Sequence, residues 1–147
     1  MAIEERITDR APIIPRPLAE ESLTTLCPDL QQWPQRWQGE PSDIAPGERL
    51  VECFTAFLLH LLRQGLATKT LRRHRDHLWM LGGEIIRRRY EDPALKPKSA
   101  HDLVLQFTDD ECGPLIWPRI TESQQDSFDA TCRKLRQFLT ATIKSAE

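Results

Sequence analysis

The sequence predicts an all-α fold: a compact bundle of four to five helices preceded by a proline-rich N-terminal arm. Three observations carry this. Apolar residues recur at helical spacing in three long runs, around 50–62, 71–86 and 128–143. No stretch alternates apolar and polar residues with period two for long enough to argue a strand. Seven of the eleven prolines fall in residues 1–46, which sets the predicted division into an arm, 1–46, and a helical domain, 47–147. A chain of 147 residues with 39% hydrophobic content is long enough to bury one ordinary core.

In the arm, Pro12, Pro15, Pro17, Pro28, Pro34, Pro41 and Pro46 each fix φ and remove an amide donor, so an extended course is expected, with a short helix around 19–26. Leu30, Trp33 and Trp37 form an apolar set at helical spacing, too bulky to leave in water. They are expected either to cover an edge of the core or to anchor a partner, which makes Trp33 and Trp37 the candidate partner-binding residues. Pro46-Gly47-Glu48 suits a helix start, because a first-turn proline loses no hydrogen bond and an acid nearby complements the helix dipole. Leu50, Phe54, Phe57, Leu58, Leu61 and Leu62 then make one broad apolar face that ends at Gln64-Gly65.

A second helix is expected to start at a cap on Thr68 or Thr70 and to run to Tyr90. Leu71, Leu78, Leu81 and Ile85, with Trp79 or Ile86, supply its buried stripe. Arg72, Arg73, Asp76, His77, Met80, Gly83, Glu84 and Arg87 fall on the other side. Gly82-Gly83 costs on the order of 1 kcal/mol per residue against alanine, so close packing against a crossing helix is expected there, with a kink as the alternative. Ser99 caps a short helix to about Phe107. An irregular connection follows, through Gly113-Pro114 and Trp117-Pro118. The last helix opens at Thr121, with Gln124 completing a capping box, and buries Phe128, Cys132, Leu135, Phe138, Leu139 and Ile143.

Charge is uneven. The chain has formal net charge -2, yet Thr68 to Tyr90 holds seven Lys and Arg against two acids. The basic residues are therefore concentrated on one helix, and any nucleic-acid reading rests on a local face. No apolar run reaches the length of a membrane span, and the acidic start does not resemble a signal peptide, so a cytoplasmic protein is expected. Cys27, Cys53, Cys112 and Cys132 are widely spaced and read as free thiols. His74 and His77 lack a third and fourth ligand at suitable spacing, and Asp109-Asp110-Glu111 reads as a solvated loop. Neither a metal, a cofactor nor an enzymatic activity is expected.

The run FTAFLLHLLRQGLATKTLRRHRDHLWMLGGEII, followed later by TESQQDSFDATCRKLRQFLTATI, resembles the N-terminal core-binding (SAM-like) domain of tyrosine recombinases and phage integrases. The matching pieces are Phe54 to Leu62, Gly65, Thr70-Leu71 with His74, Leu78 and Leu81, and 132–139, within roughly 48–143. The resemblance implies a clamp on one side of duplex DNA through the second and fourth helices. It places Lys69, Thr70, Arg72, Arg73, Asp76 and His77, with Arg133, Lys134 and Arg136, against DNA; Arg87 extends the basic face. The family's catalytic domain does not follow, and Tyr90 stands outside any recombinase active-site context. Two functions are thus expected as alternatives. One is a non-catalytic binder of double-stranded DNA, an accessory of site-specific recombination or of a mobile element beside a separately encoded recombinase. The other is a helical protein-interaction or homo-oligomerisation module with no DNA binding.

Overall fold

A computed structural model describes residues 16–146, with side chains from 18 to 141. The described residues are all-helical, in the order α1 (Arg16–Leu26), α2 (Trp33–Trp37), α3 (Ile44–Arg63), α4 (Thr68–Glu91), α5 (Ala100–Phe107) and α6 (Glu122–Ala146), with short 3-10 turns between them. The stretch 1–15 of the expected arm lies outside the described residues, as do the side chains of Ile143 and Lys144.

The central element is α3, which packs against α1, α2, α4, α5 and α6. Its expected stripe is buried throughout, with Leu50, Phe54, Phe57 and Leu58 fully enclosed. Pro46 sits in the first turn of α3 rather than at its start, where its missing N–H again costs nothing. The helix ends at Gly65, which takes the left-handed conformation at φ 71°. In α4 the stripe is Leu71, Leu78, Leu81, Ile85 and Ile86, while Trp79 is partly exposed. The α4 N-cap is Ala67, with no side-chain bond; Thr68 is already helical. Ser99 caps α5, its hydroxyl accepting from Asp102 N at 3.1 Å. The box at the start of α6 is complete: Thr121 N donates to Gln124 Oε1 at 2.9 Å, and Gln124 N to Thr121 Oγ1 at 3.0 Å.

Residues 16–46 differ from the expected extended arm. Ala19, Leu26, Cys27, Leu30, Trp33 and Trp37 belong to the same apolar cluster as α3 and α4, and the boundary expected at 46/47 falls inside the first turn of α3. Trp33 and Trp37 are 3% and 9% exposed, so both are core residues and neither is presented to a partner. They pack edge-on or tilted against Trp79 and Phe54 at centroid separations of 5.5–6.2 Å.

Three charged side chains, Asp43, Glu84 and Arg89, are buried, and Glu84 thereby departs from the polar face expected of it. Glu84 is buried and accepts from Arg87, from Arg88 at 3.0 Å and from Arg119 at 3.1 Å. Burial alone would push its carboxyl up, but the three guanidinium groups outweigh burial and hold it below the ordinary Glu range. Arg89 is also buried and bonds Asp43 Oδ1 at 3.2 Å. Asp43 Oδ2 in turn accepts from Gly39 N at 2.9 Å and Glu40 N at 3.0 Å. The 87–89 arginines are thus each paired with an acidic side chain rather than forming a free basic end.

The irregular segment before α6 is shaped by buried Gln125. Its side-chain carbonyl accepts from Ile116 N at 2.8 Å and Trp117 N at 2.9 Å, and its amide donates to Pro114 O and to Asp129. Asp110 and Glu111 precede it at φ 55° and 61°.

Candidate nucleic-acid interface

The basic surface forms where the N-terminal half of α4 lies beside the middle of α6. Both helices present an apolar stripe to α3, which leaves their polar residues to meet each other along the seam. At its centre the Thr131 hydroxyl of α6 touches two rings of α4, His74 Nδ1 at 2.8 Å and His77 Nδ1 at 2.7 Å. A hydroxyl carries one proton, so at least one ring donates its own Nδ1–H to the Thr131 oxygen. Phe57 lies edge-on to His74, and Phe128 to His77, which closes the apolar side of the seam.

Above this seam are cations from three helices. Burial, with Lys134, Arg73 and His77 nearby, lowers the His74 pKa to about 4. Burial and then Arg73 lower His77, against the opposing pull of Asp76. Burial, Arg63 and Lys134 lower His60, at the end of α3. Burial is the main reason the neutral form is favoured in all three rings, and the cations Arg63, Arg73 and Lys134 reinforce it.

Of the candidate residues, Lys69, Arg73 and Lys134 are exposed on or beside this seam and make no ion pair among the described residues. Thr70 and His77 are half-buried beside them. Arg72 is exposed but lines a different cleft, between α1 and α4, with Glu21 and Thr25. Asp76 is held by Arg75 at 3.0 Å, and Arg75 also donates to Leu26 O. Arg133 lies within the field of the Cys112 thiol, on the side of the acidic turn. Two candidates are drawn away: Arg136 donates to Leu105 O, and Arg87 is bound between Glu84 and Glu91. Arg87 is also about 20 Å along α4 from Arg73 at the helical rise per residue. His60 and Arg63 were not among the candidates; their signal was the basic end of α3 just before Gly65, a tertiary neighbour of α6.

Comparison with protein-family models, with curated proteins and with solved structures gives no match.

Other chemistry finds little support in the side chains. No group of three His, Cys, Asp or Glu is placed to hold a metal ion among the described residues. The four cysteines are free, and burial raises each thiol, Cys27 to about 12. Thr131, although it contacts two imidazoles, is 1% exposed and out of reach of a substrate. No described helix is long and apolar enough to cross a membrane.

Proposed function

We propose that this chain is a non-catalytic DNA-binding module that contacts the duplex backbone through the seam of α4 and α6. One observation carries the reading: Arg73 and Lys134, 61 residues apart in sequence, lie close enough to act on the same imidazole, with Lys69 and Arg63 flanking them. Cations gathered from separate elements onto one face gain by releasing counterions from a phosphate backbone. The neutral histidines between them leave the charge on side chains long enough to follow the strand. The order of helices, like that of a recombinase core-binding domain, supports a place beside a separately encoded recombinase, as an accessory of site-specific recombination or of a mobile element.

Binding of a generic duplex at low salt tests this. Affinity is expected to fall with salt at a logarithmic slope of about -3, as for three to four phosphate contacts. Arg73→Glu with Lys134→Glu is expected to abolish binding while the far-UV circular dichroism stays helical. A wild-type chain that binds no duplex at low salt sinks the proposal.

The alternative, a protein-interaction module, is favoured by the segment between α5 and α6. Leu115 and Trp117 are 62% and 46% exposed there, on a loop fixed by Gln125 and by Arg88, which donates to Leu115 O. A mass measurement in solution, with Leu115→Ser and Trp117→Ser variants, separates a self-associating chain from a monomer.

A further inference from the structure

The cleft between the end of α3 and the second half of α6 shares only Lys134 with the proposed duplex contact. It measures about 500 Å³ and is lined by Phe57, His60, Gln64, Lys134, Gln137 and Phe138, among others. It is an open groove rather than an enclosed cavity, wide enough to receive one small ring along its wall. Its walls combine three chemistries. Phe138 and His60 pack in a tilted contact, with centroids 4.8 Å apart and planes at 34°, and Phe57 packs on Phe138 at 5.7 Å. Gln64 and Gln137 add two amides, each able to donate and accept. Lys134 adds a cation at the rim.

Lys134 belongs to both features. It lies near enough to His74 and to His60 to depress both rings, so the cation track over the α4–α6 seam passes the mouth of the cleft. A strand whose phosphate rests on Lys134 has its base within reach of the ring pair. Gln64 Nε2 is 3.1 Å from His60 Nε2, which makes that ring nitrogen the acceptor and leaves the Gln64 carbonyl for another donor. The Gln137 side chain makes no hydrogen bond among the described residues. An aromatic wall, amides with spare donors and acceptors, and a cation at the edge match one nucleotide: a flat ring with polar edges and an attached phosphate. A paired base would have to be pulled from its stack to enter, whereas an unpaired base enters without that cost.

We propose that this cleft holds a single unpaired nucleobase with its phosphate on Lys134, so that the chain engages DNA preferentially where one strand is unpaired. The inference rests on the DNA-binding reading and narrows its substrate to junctions between duplex and single strand.

Fluorescence anisotropy with the full chain tests it, using three probes. These are a blunt duplex, the same duplex with a short oligothymidine overhang, and that duplex with an overhang of abasic residues. The overhang is expected to bind about tenfold more tightly than the blunt duplex, the value of one stacked base. The abasic overhang carries the same phosphates and is expected to fall back towards blunt-duplex affinity. Gln137→Ala, at an exposed position, is expected to reduce the overhang preference about threefold through a lost hydrogen bond, with blunt-duplex affinity unchanged. Equal binding of blunt and overhang probes, or of thymidine and abasic overhangs, overturns the base-holding cleft and leaves the duplex reading intact. Failure of all three probes at low salt overturns both.

Discussion

The Trp37 indole lies directly over Gly82, where a Cβ would meet Trp37 Cζ2 at 2.2 Å and Cη2 at 2.3 Å. The ring has nowhere to go, because Nε1 donates to Trp79 O at 3.1 Å while Trp33, Phe54 and Trp79 surround it. Gly82→Ala gains about 1 kcal/mol in helix propensity but forces this cluster apart, and overpacking of that kind costs typically 1–3 kcal/mol or more. A net loss of about 1 kcal/mol or more is expected from the two effects together. Gly83 is the control: its Cβ would come no nearer than 3.3 Å to Trp37 Cδ1, a mild crowding that the gain in helix propensity offsets, so Gly83→Ala should be near neutral. Urea unfolding of the two variants checks this, and equal midpoints would refute the close approach.

Asp43 and Arg89 form an ion pair with both partners enclosed, at 1% and 8% exposure. Removing one member strands the other charge, which costs about 3–5 kcal/mol when the site is dry. Asp43→Ala is expected to show a loss of that order. Adding Arg89→Met should recover part of it, because the uncompensated guanidinium is gone. Recovery stays incomplete, since Asp43 also accepts from Gly39 N and Glu40 N. A double variant no more stable than Asp43→Ala assigns the whole loss to those two backbone bonds.

Stability should fall on acidification in two stages. His74 is neutral in the fold and titrates at about 4, whereas an exposed histidine titrates near 6.5. Between those values the unfolded chain binds more protons than the folded one, so stability is full above 6.5 and falls as pH drops towards 4. His77 and His60 shift in the same direction and steepen the fall. Glu84, held below its ordinary value by three arginines, adds a further loss only below about 4.5. Urea midpoints from pH 7.5 to about 3, with His74→Gln flattening the upper stage, measure this. A His74 resonance that titrates near 6.5 contradicts the buried seam.

Features set by neighbours in sequence were legible. The apolar face of α3, the Thr121–Gln124 box, the Ser99 cap and the left-handed Gly65 all depend on residues within a turn or two, and all appear as expected. What escaped depends on distant partners. Glu84 looks exposed by helical arithmetic, but Arg119 arrives from 35 residues away to make a buried carboxylate tolerable. Arg89 is likewise buried by Asp43 across 46 residues. Prolines at 28, 34 and 41 forbid a long helix, yet they permit short ones, and Trp33 and Trp37 pull that stretch onto the core. At the basic face, Lys69, Arg73 and Lys134 were legible as charges on helices. The splitting of Arg72 from Arg73, and the arrival of His60 and Arg63, follow from where α1 and α3 sit.

Charge alone does not rank the arginines of this chain, and two of them separate fold from binding. Arg136 donates to Leu105 O and lies 3.9 Å from Asp109, joining α6 to α5 and the acidic turn. Arg87 is spent on Glu84 and Glu91 at the far end of α4. Arg136→Ala is therefore expected to lower the unfolding midpoint, because the Leu105 carbonyl loses a charged donor worth about 1.5–3 kcal/mol. Duplex affinity should change less than about twofold in Arg136→Ala and in Arg87→Ala, since neither removes a phosphate contact. Arg73→Ala and Lys134→Ala should do the reverse: an unchanged midpoint, weaker binding, and a salt slope shallower by about one unit each. Equal losses of affinity in all four would mean that binding follows overall positive charge, and the α4–α6 seam would have no special claim to the DNA.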